Sequence, residues 1–78
     1  MIDQGTALNV PRTPVTSSMI RSVGWQNALV VEFNNGSVYV YDAPKDYFDG
    51  MMVAESAGKY FHDRIKSLFE GTKIKEGS

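Results

Sequence analysis

Lys59, His62 and Lys66 stand at spacing i, i+3 and i+7, which on a helix puts all three on one side of the cylinder, where cations meet phosphates. Arg21, and Arg64 beside them, complete the cations that a nucleic-acid patch would draw on. The plainer reading of this row is a solvated helix face, because Asp63 and Glu70 lie on the same side and dilute its charge. Arg64 falls nearer the apolar arc of that helix, where it would snorkel or pair with an acid. Tyr39 and Tyr41 are the other candidates. On alternate residues of a strand they share a face, and if exposed they would stack on unpaired bases at about 1 to 3 kcal/mol per base. If buried they are core residues whose hydroxyls reach the sheet edge.

Catalysis and metal binding find little to work with. His62 is the single histidine and cysteine is absent, so a transition metal lacks its usual ligands and no metal or cofactor is expected. No convincing nucleophile stands beside His62 either. Ser17, Ser18 and Ser22 fall on a strand without elbow geometry, and Asp42, Asp46 and Asp49 read as cap and dipole residues. Ser56, Gly58 and Lys59 at a helix start invite comparison with a phosphate-binding loop. The comparison fails, because the first glycine of that motif is missing and Tyr60 stands where Ser or Thr is needed. No enzymatic activity is expected.

These residues need elements to hold them, and composition bounds what those can be. With 78 residues the chain makes one small domain, of a size that buries only about 60% of the surface its unfolded chain exposes. Without cysteine, its stability rests on packing and turn chemistry. Hydrophobic residues at 42% suffice for a core, while a net charge of −1 gives no general attraction to phosphates. A nucleic-acid role must therefore rest on a local patch. The stretch MIDQGTALNV has no basic run before an apolar one, and no segment nears the roughly 18 apolar residues of a membrane span. A soluble, cytoplasmic protein without membrane contact is expected.

Residues 1–16, with Gly5, Asn9, Pro11 and Pro14 and no sustained apolar period, read as a flexible arm, and the polar, glycine-punctuated 70–78 as a flexible tail. Between them, 17–69 forms the folded unit. SSMIRSVGW (17–25) alternates as a first strand; ALVVEF (28–33) and VYVY (38–41) flank Asn34, Asn35 and Gly36 as a hairpin. Pro44 then suits the start of a helix over 44–54, with Tyr47, Phe48, Met51 and Met52 as its apolar stripe. Ser56 caps a second helix over 57–69, with Tyr60, Phe61, Ile65, Leu68 and Phe69 inward. The order predicts an α+β fold, a three-stranded antiparallel sheet followed by two helices packed on one face.

The hairpin can close in two registers, and a slip of one residue moves the tyrosines to the other face. A two-residue Asn35-Gly36 loop gathers Leu29, Val31, Phe33, Val38 and Val40 on one face and puts Tyr39 and Tyr41 opposite, as an aromatic surface. A three-residue loop ending in a left-handed Gly36 sets Val31 against Tyr39 and Leu29 against Tyr41, and the tyrosines join the core. Pattern alone mildly favours the first, since it collects the aliphatic side chains and leaves Glu32 outside.

SSMIRSVGW, LVVEFNNGSVYVY, a proline-started helix and SAGKYFHDRIK succeed one another in an order that resembles the KTSC domain, found at the C-terminus of some lysyl-tRNA synthetases and as small stand-alone bacterial and phage-type proteins. The resemblance spans about 15–67, with the Tyr-x-Tyr mark at Tyr39-Val40-Tyr41. Family members often carry a polar residue between the tyrosines, and Asn where this chain has His62. The polar middle residue implies inward tyrosines, so the resemblance favours core packing for Tyr39 and Tyr41. The synthetase context implies RNA, tRNA-like or single-stranded, as partner, and the cations read from the chain itself, Arg21, Lys59, His62 and Lys66, are the candidate contacts. The catalytic body of a synthetase is absent, so no aminoacylation carries over. The alternative is a protein-protein interaction module with no nucleic-acid partner, docking through apolar strands and the Met51-Met52 pair. A third is self-association through an edge strand.

Overall fold

The chain's structure, a computed structural model, describes residues 4–15 and 17–77. In order, the backbone forms α1 (Gln4–Leu8), β1 (Thr13–Pro14), β2 (Ile20–Trp25), β3 (Leu29–Phe33), β4 (Val38–Tyr41), α2 (Lys45–Val53), α3 (Ala57–Tyr60), a π-helical turn (Phe61–Ile65) and β5 (Gly71–Lys75). The parts of the expected arm and tail at 1–3, 16 and 78 lie outside the described residues.

The hairpin closes through Asn34, Asn35 and Gly36. The Phe33 N–H donates to the Ser37 carbonyl and the Gly36 N–H to the Phe33 carbonyl, both at 2.9 Å. Gly36 takes φ 92°, a left-handed conformation that costs glycine nothing and ends the turn without strain. Asn35 locks the loop by accepting from the Ser37 N–H at 3.0 Å and its hydroxyl at 2.6 Å. Val31 therefore faces Tyr39, and Leu29 faces Tyr41. The two-residue closure mildly preferred on pattern is not the one formed. That preference assumed a sheet with one buried face, and this sheet buries both.

On the helix side, Ile20, Val23, Leu29, Val31 and Tyr41 pack with Met51, Ala57, Phe61 and Ile65. On the other side, Ala28, Val30, Val38 and Val40 are covered by Ala7 and Val10 from the arm, with Ile74 against them. A register shift in β2, from Ile20 opposite Phe33 to Ser22 opposite Glu32, changes the side-chain parity, so Ile20 joins Val23 and Trp25 on the helix side. Strict alternation would have set it with Ser22 and Gly24.

The sheet has five antiparallel strands in the order β1-β2-β3-β4-β5, in place of the three expected. Both additions come from the terminal segments read as arm and tail: Thr13 and Pro14 pair with Val23 and Ser22, and β5 pairs with β4. Pro14 is tolerated because β1 is an edge strand. The arm crosses the sheet over Gly24, where a Cβ would collide with the Pro11 carbonyl oxygen.

The helices also differ from expectation in detail. Pro44 sits at the N-cap of α2 rather than inside it. Ser56 caps α3 as expected, its hydroxyl accepting from the Lys59 N–H at 3.3 Å. The helix expected over 57–69 is regular for one turn, then widens: the Lys66 N–H reaches back five residues to the Phe61 carbonyl at 2.9 Å. The wider coil rotates the residues beyond it, and Leu68, expected inward, is 63% exposed. Among the described residues, no helix is long and apolar enough to cross a membrane.

Candidate functional site

The three-residue loop puts Phe33, Tyr39 and Tyr41 on the helix side of the sheet, where they meet Phe61 from the π-helical turn. Phe33 lies 5.4 Å from both Tyr39 and Phe61, edge to face in each case; Tyr41 lies 5.2 Å from Phe61 and is stacked on Tyr39 at 6.4 Å. These separations are those at which ring pairs attract beyond simple burial. Tyr41 is buried, whereas Phe33 and Tyr39 are only half-buried. Burial pushes the Tyr41 hydroxyl up to about 12, with a smaller contribution from the charge of Tyr39.

The rings floor an open cleft of about 530 Å³, within the range of small-ligand sites. Asn34, Asn35 and Ser37 of the hairpin loop form one side, and His62 and Lys66 the other, with Ser18 and Met19 at the end. His62 and Lys66, four residues apart, reach the rim together, while Phe61 at the start of the π-helical turn sits on the rings. His62 is exposed, its Nδ1 3.4 Å from Asp63 Oδ1.

The other candidate cations are elsewhere. Lys59 lines a separate, smaller groove with Glu55, Ser56, Tyr60, Asp63 and Arg64, so the single row expected of Lys59, His62 and Lys66 is divided. The i, i+3, i+7 spacing assumes 3.6 residues per turn, and the π-helical turn breaks that period. Arg21 is engaged by the hairpin: Nη2 donates to the Asn34 carbonyl at 2.8 Å, and Nη1 lies 3.7 Å from Glu32 Oε2. Glu32 also accepts from the Ser22 hydroxyl at 2.8 Å. Of the Met51-Met52 pair, Met51 is buried in the core and Met52 is half-buried.

One cation beside the cleft escaped the sequence reading. Lys73 on β5 is the cross-strand partner of Tyr39, and its Nζ lies 5.7 Å from the centre of that ring. It donates to Glu76 Oε2 at 3.1 Å, and this hydrogen bond, seconded by the charge of Glu76, holds the Lys73 ammonium above its ordinary range. The alternation in GTKIK was the available signal, hidden by its glycine and polar neighbours. Among the described residues, no cluster of histidine and acids has the makings of a metal site.

The family model of the KTSC domain matches residues 16–69. A crystal structure of a KTSC domain protein from Yersinia pestis is similar at 33% identity with a TM-score of 0.73, over 82% of this chain and 96% of that one. A protein of Tsukamurella paurometabola is 32% identical over 78% of this chain and 97% of its own length. An uncharacterized protein of Stutzerimonas stutzeri is 36% identical over 70% of this chain and 83% of its own.

Proposed function

The chain belongs to the KTSC domain family, and from that membership and the geometry of the cleft we propose that it is a non-catalytic module that binds single-stranded RNA by receiving an unpaired base. The observation that carries the reading is the pairing of half-buried rings, Phe33 and Tyr39, with a rim that bears His62 and Lys66. Half-buried rings already packed in place, Phe33 edge to face on Phe61 and Tyr39 stacked on Tyr41, are ordered, so a base stacks on them with little loss of side-chain freedom. Stacking of this kind contributes about 1 to 3 kcal/mol per base and tolerates any base. Lys66 and His62 then meet the adjoining phosphate.

A net charge of −1 and the division of the helix cations mean that few phosphates are engaged. Binding is accordingly weak and only modestly salt-dependent, with a logarithmic slope of about 0.7 per phosphate contacted. The interaction-module reading keeps only part of the methionine surface on which it drew, because Met51 is in the core while Met52 is half-buried and Met19 exposed.

The test is an amide-shift titration with short single-stranded RNA and with tRNA, at low and moderate salt. Shifts are expected at Phe33, Tyr39, Phe61 and Lys66, and Lys66→Glu should weaken binding about tenfold while Lys59→Glu changes it less than about twofold, in keeping with one lost charge-assisted phosphate contact. No shifts at either salt, or shifts confined to the groove of Lys59, would overturn the reading.

A further inference from the structure

The family model ends at residue 69, yet a strand beyond it lies against the tyrosines that line the cleft. β5 lies along β4 and tracks the aromatic residues closely. Gly71 is opposite Tyr41, and a side chain there would run into the Tyr41 ring; Lys73 is opposite Tyr39; Gly77 abuts Asn35 of the hairpin loop. The tail does not itself line the cleft, but it packs against three residues that do, Tyr39, Tyr41 and Asn35, and it brings a charge. Lys73 Nζ stands beside the Tyr39 ring, paired with Glu76 three residues on. Both partners are open to solvent, with side-chain exposures of 41% and 82%. Exposed pairs of this kind hold each other weakly.

We infer that the tail strand sets the ligand specificity of the cleft, Lys73 binding a phosphate of the nucleotide whose base lies against Tyr39 and Glu76 serving as the internal anion that this phosphate displaces. The inference rests on the reading of the cleft as an RNA site. A phosphate next to a base stacked on Tyr39 falls within reach of an ammonium already poised over that ring. The exchange replaces one acceptor by another on the same ammonium, so that ammonium is never left unpaired. The cleft therefore takes nucleotides in preference to nucleosides.

The test uses the full chain and a single-stranded oligouridine labelled for fluorescence anisotropy, over a series of salt concentrations. Lys73→Ala should weaken binding several-fold and lower the logarithmic salt slope by about 0.7, one phosphate contact on a single strand. Glu76→Gln should tighten binding by up to about fivefold at low salt, the most that an exposed pair withholds. That gain should vanish when Lys73→Ala is also present. Both side chains are exposed, so the variants should keep the wild-type amide spectrum, and Lys59→Ala serves as a charge control. If Lys73→Ala leaves affinity and slope unchanged, or if Glu76→Gln tightens binding equally without Lys73, the inference fails while the RNA reading stands. If the wild-type chain binds no oligouridine, both fail.

Discussion

The Tyr41 hydroxyl makes the burial of the Tyr-x-Tyr pair measurable through alkaline pH. Its residue is 6% exposed, and its pKa is pushed up to about 12 from the ordinary 10, first by burial and then by the charge of Tyr39. A raised pKa on an acid means that the folded state keeps a proton that the unfolded chain releases. Between about pH 10 and 12 the unfolded state therefore binds fewer protons, and stability falls as pH rises; below about 10 the contribution is fully present. Two units at about 1.36 kcal/mol each set an upper limit of about 2.7 kcal/mol. Solvent in the open cleft screens part of this, and about 1 to 2 kcal/mol is the expected loss. Urea unfolding of the wild type and of Tyr41→Phe across that range isolates the effect, because the substitution keeps the ring and its contact with Phe61 while removing the titrating group. The wild type should lose that amount more than the variant. Parallel pH profiles for the two proteins would refute the burial argument and return Tyr41 to the surface as a stacking platform.

Two further substitutions probe the elements that hold the site. Gly24→Val drives a side chain into the Pro11 carbonyl, and should cost about 1 to 3 kcal/mol; hydrogen exchange should show the arm released while the β2–β3 amides stay protected, and unchanged protection at Val10 would contradict the packing. Gly36→Ala forces a side chain into φ 92°, and should cost about 1 to 2 kcal/mol by thermal unfolding; no loss would mean that the loop does not close through a left-handed residue.

The strands and the caps were legible because their signals are local. β-branched runs around Asn34, Asn35 and Gly36 announce a hairpin, and Ser56 announces a helix by what its hydroxyl does to the Lys59 N–H. The register was not legible from pattern, since both registers give a consistent apolar face once Ala7 and Val10 cover Val30, Val38 and Val40. Nothing local marks those two residues as a lid. The terminal strands escaped for a similar reason: Thr13 and Pro14 are too short a run to show alternation, with a proline that argues against a strand, and they pair because β2 offers an edge. The candidate site suffered from a different error. A regular helical period over residues 57–69 sets Lys59, His62 and Lys66 in one row, whereas the π-helical turn at Phe61–Ile65 interrupts that period and Lys59 lies in a different groove from His62 and Lys66. Tertiary demand, the need to seat Phe61 against Tyr41 and Ile65 in the core, overrides the period.

These departures have a common physical origin. A three-stranded sheet with helices on one side would leave Val30, Val38 and Val40 in water and the Tyr-bearing strand β4 at an open edge, a liability for so small a domain. Arm and tail answer the two exposures separately: Ala7 and Val10 close the face, and β5 closes the edge. Closing the edge also brings Gly71 under Tyr41 and Lys73 beside Tyr39. The segment that protects β4 from other strands is therefore also the one that lies against the two tyrosines of the cleft, so the edge and the aromatic floor are backed by the same five residues, Gly71–Lys75.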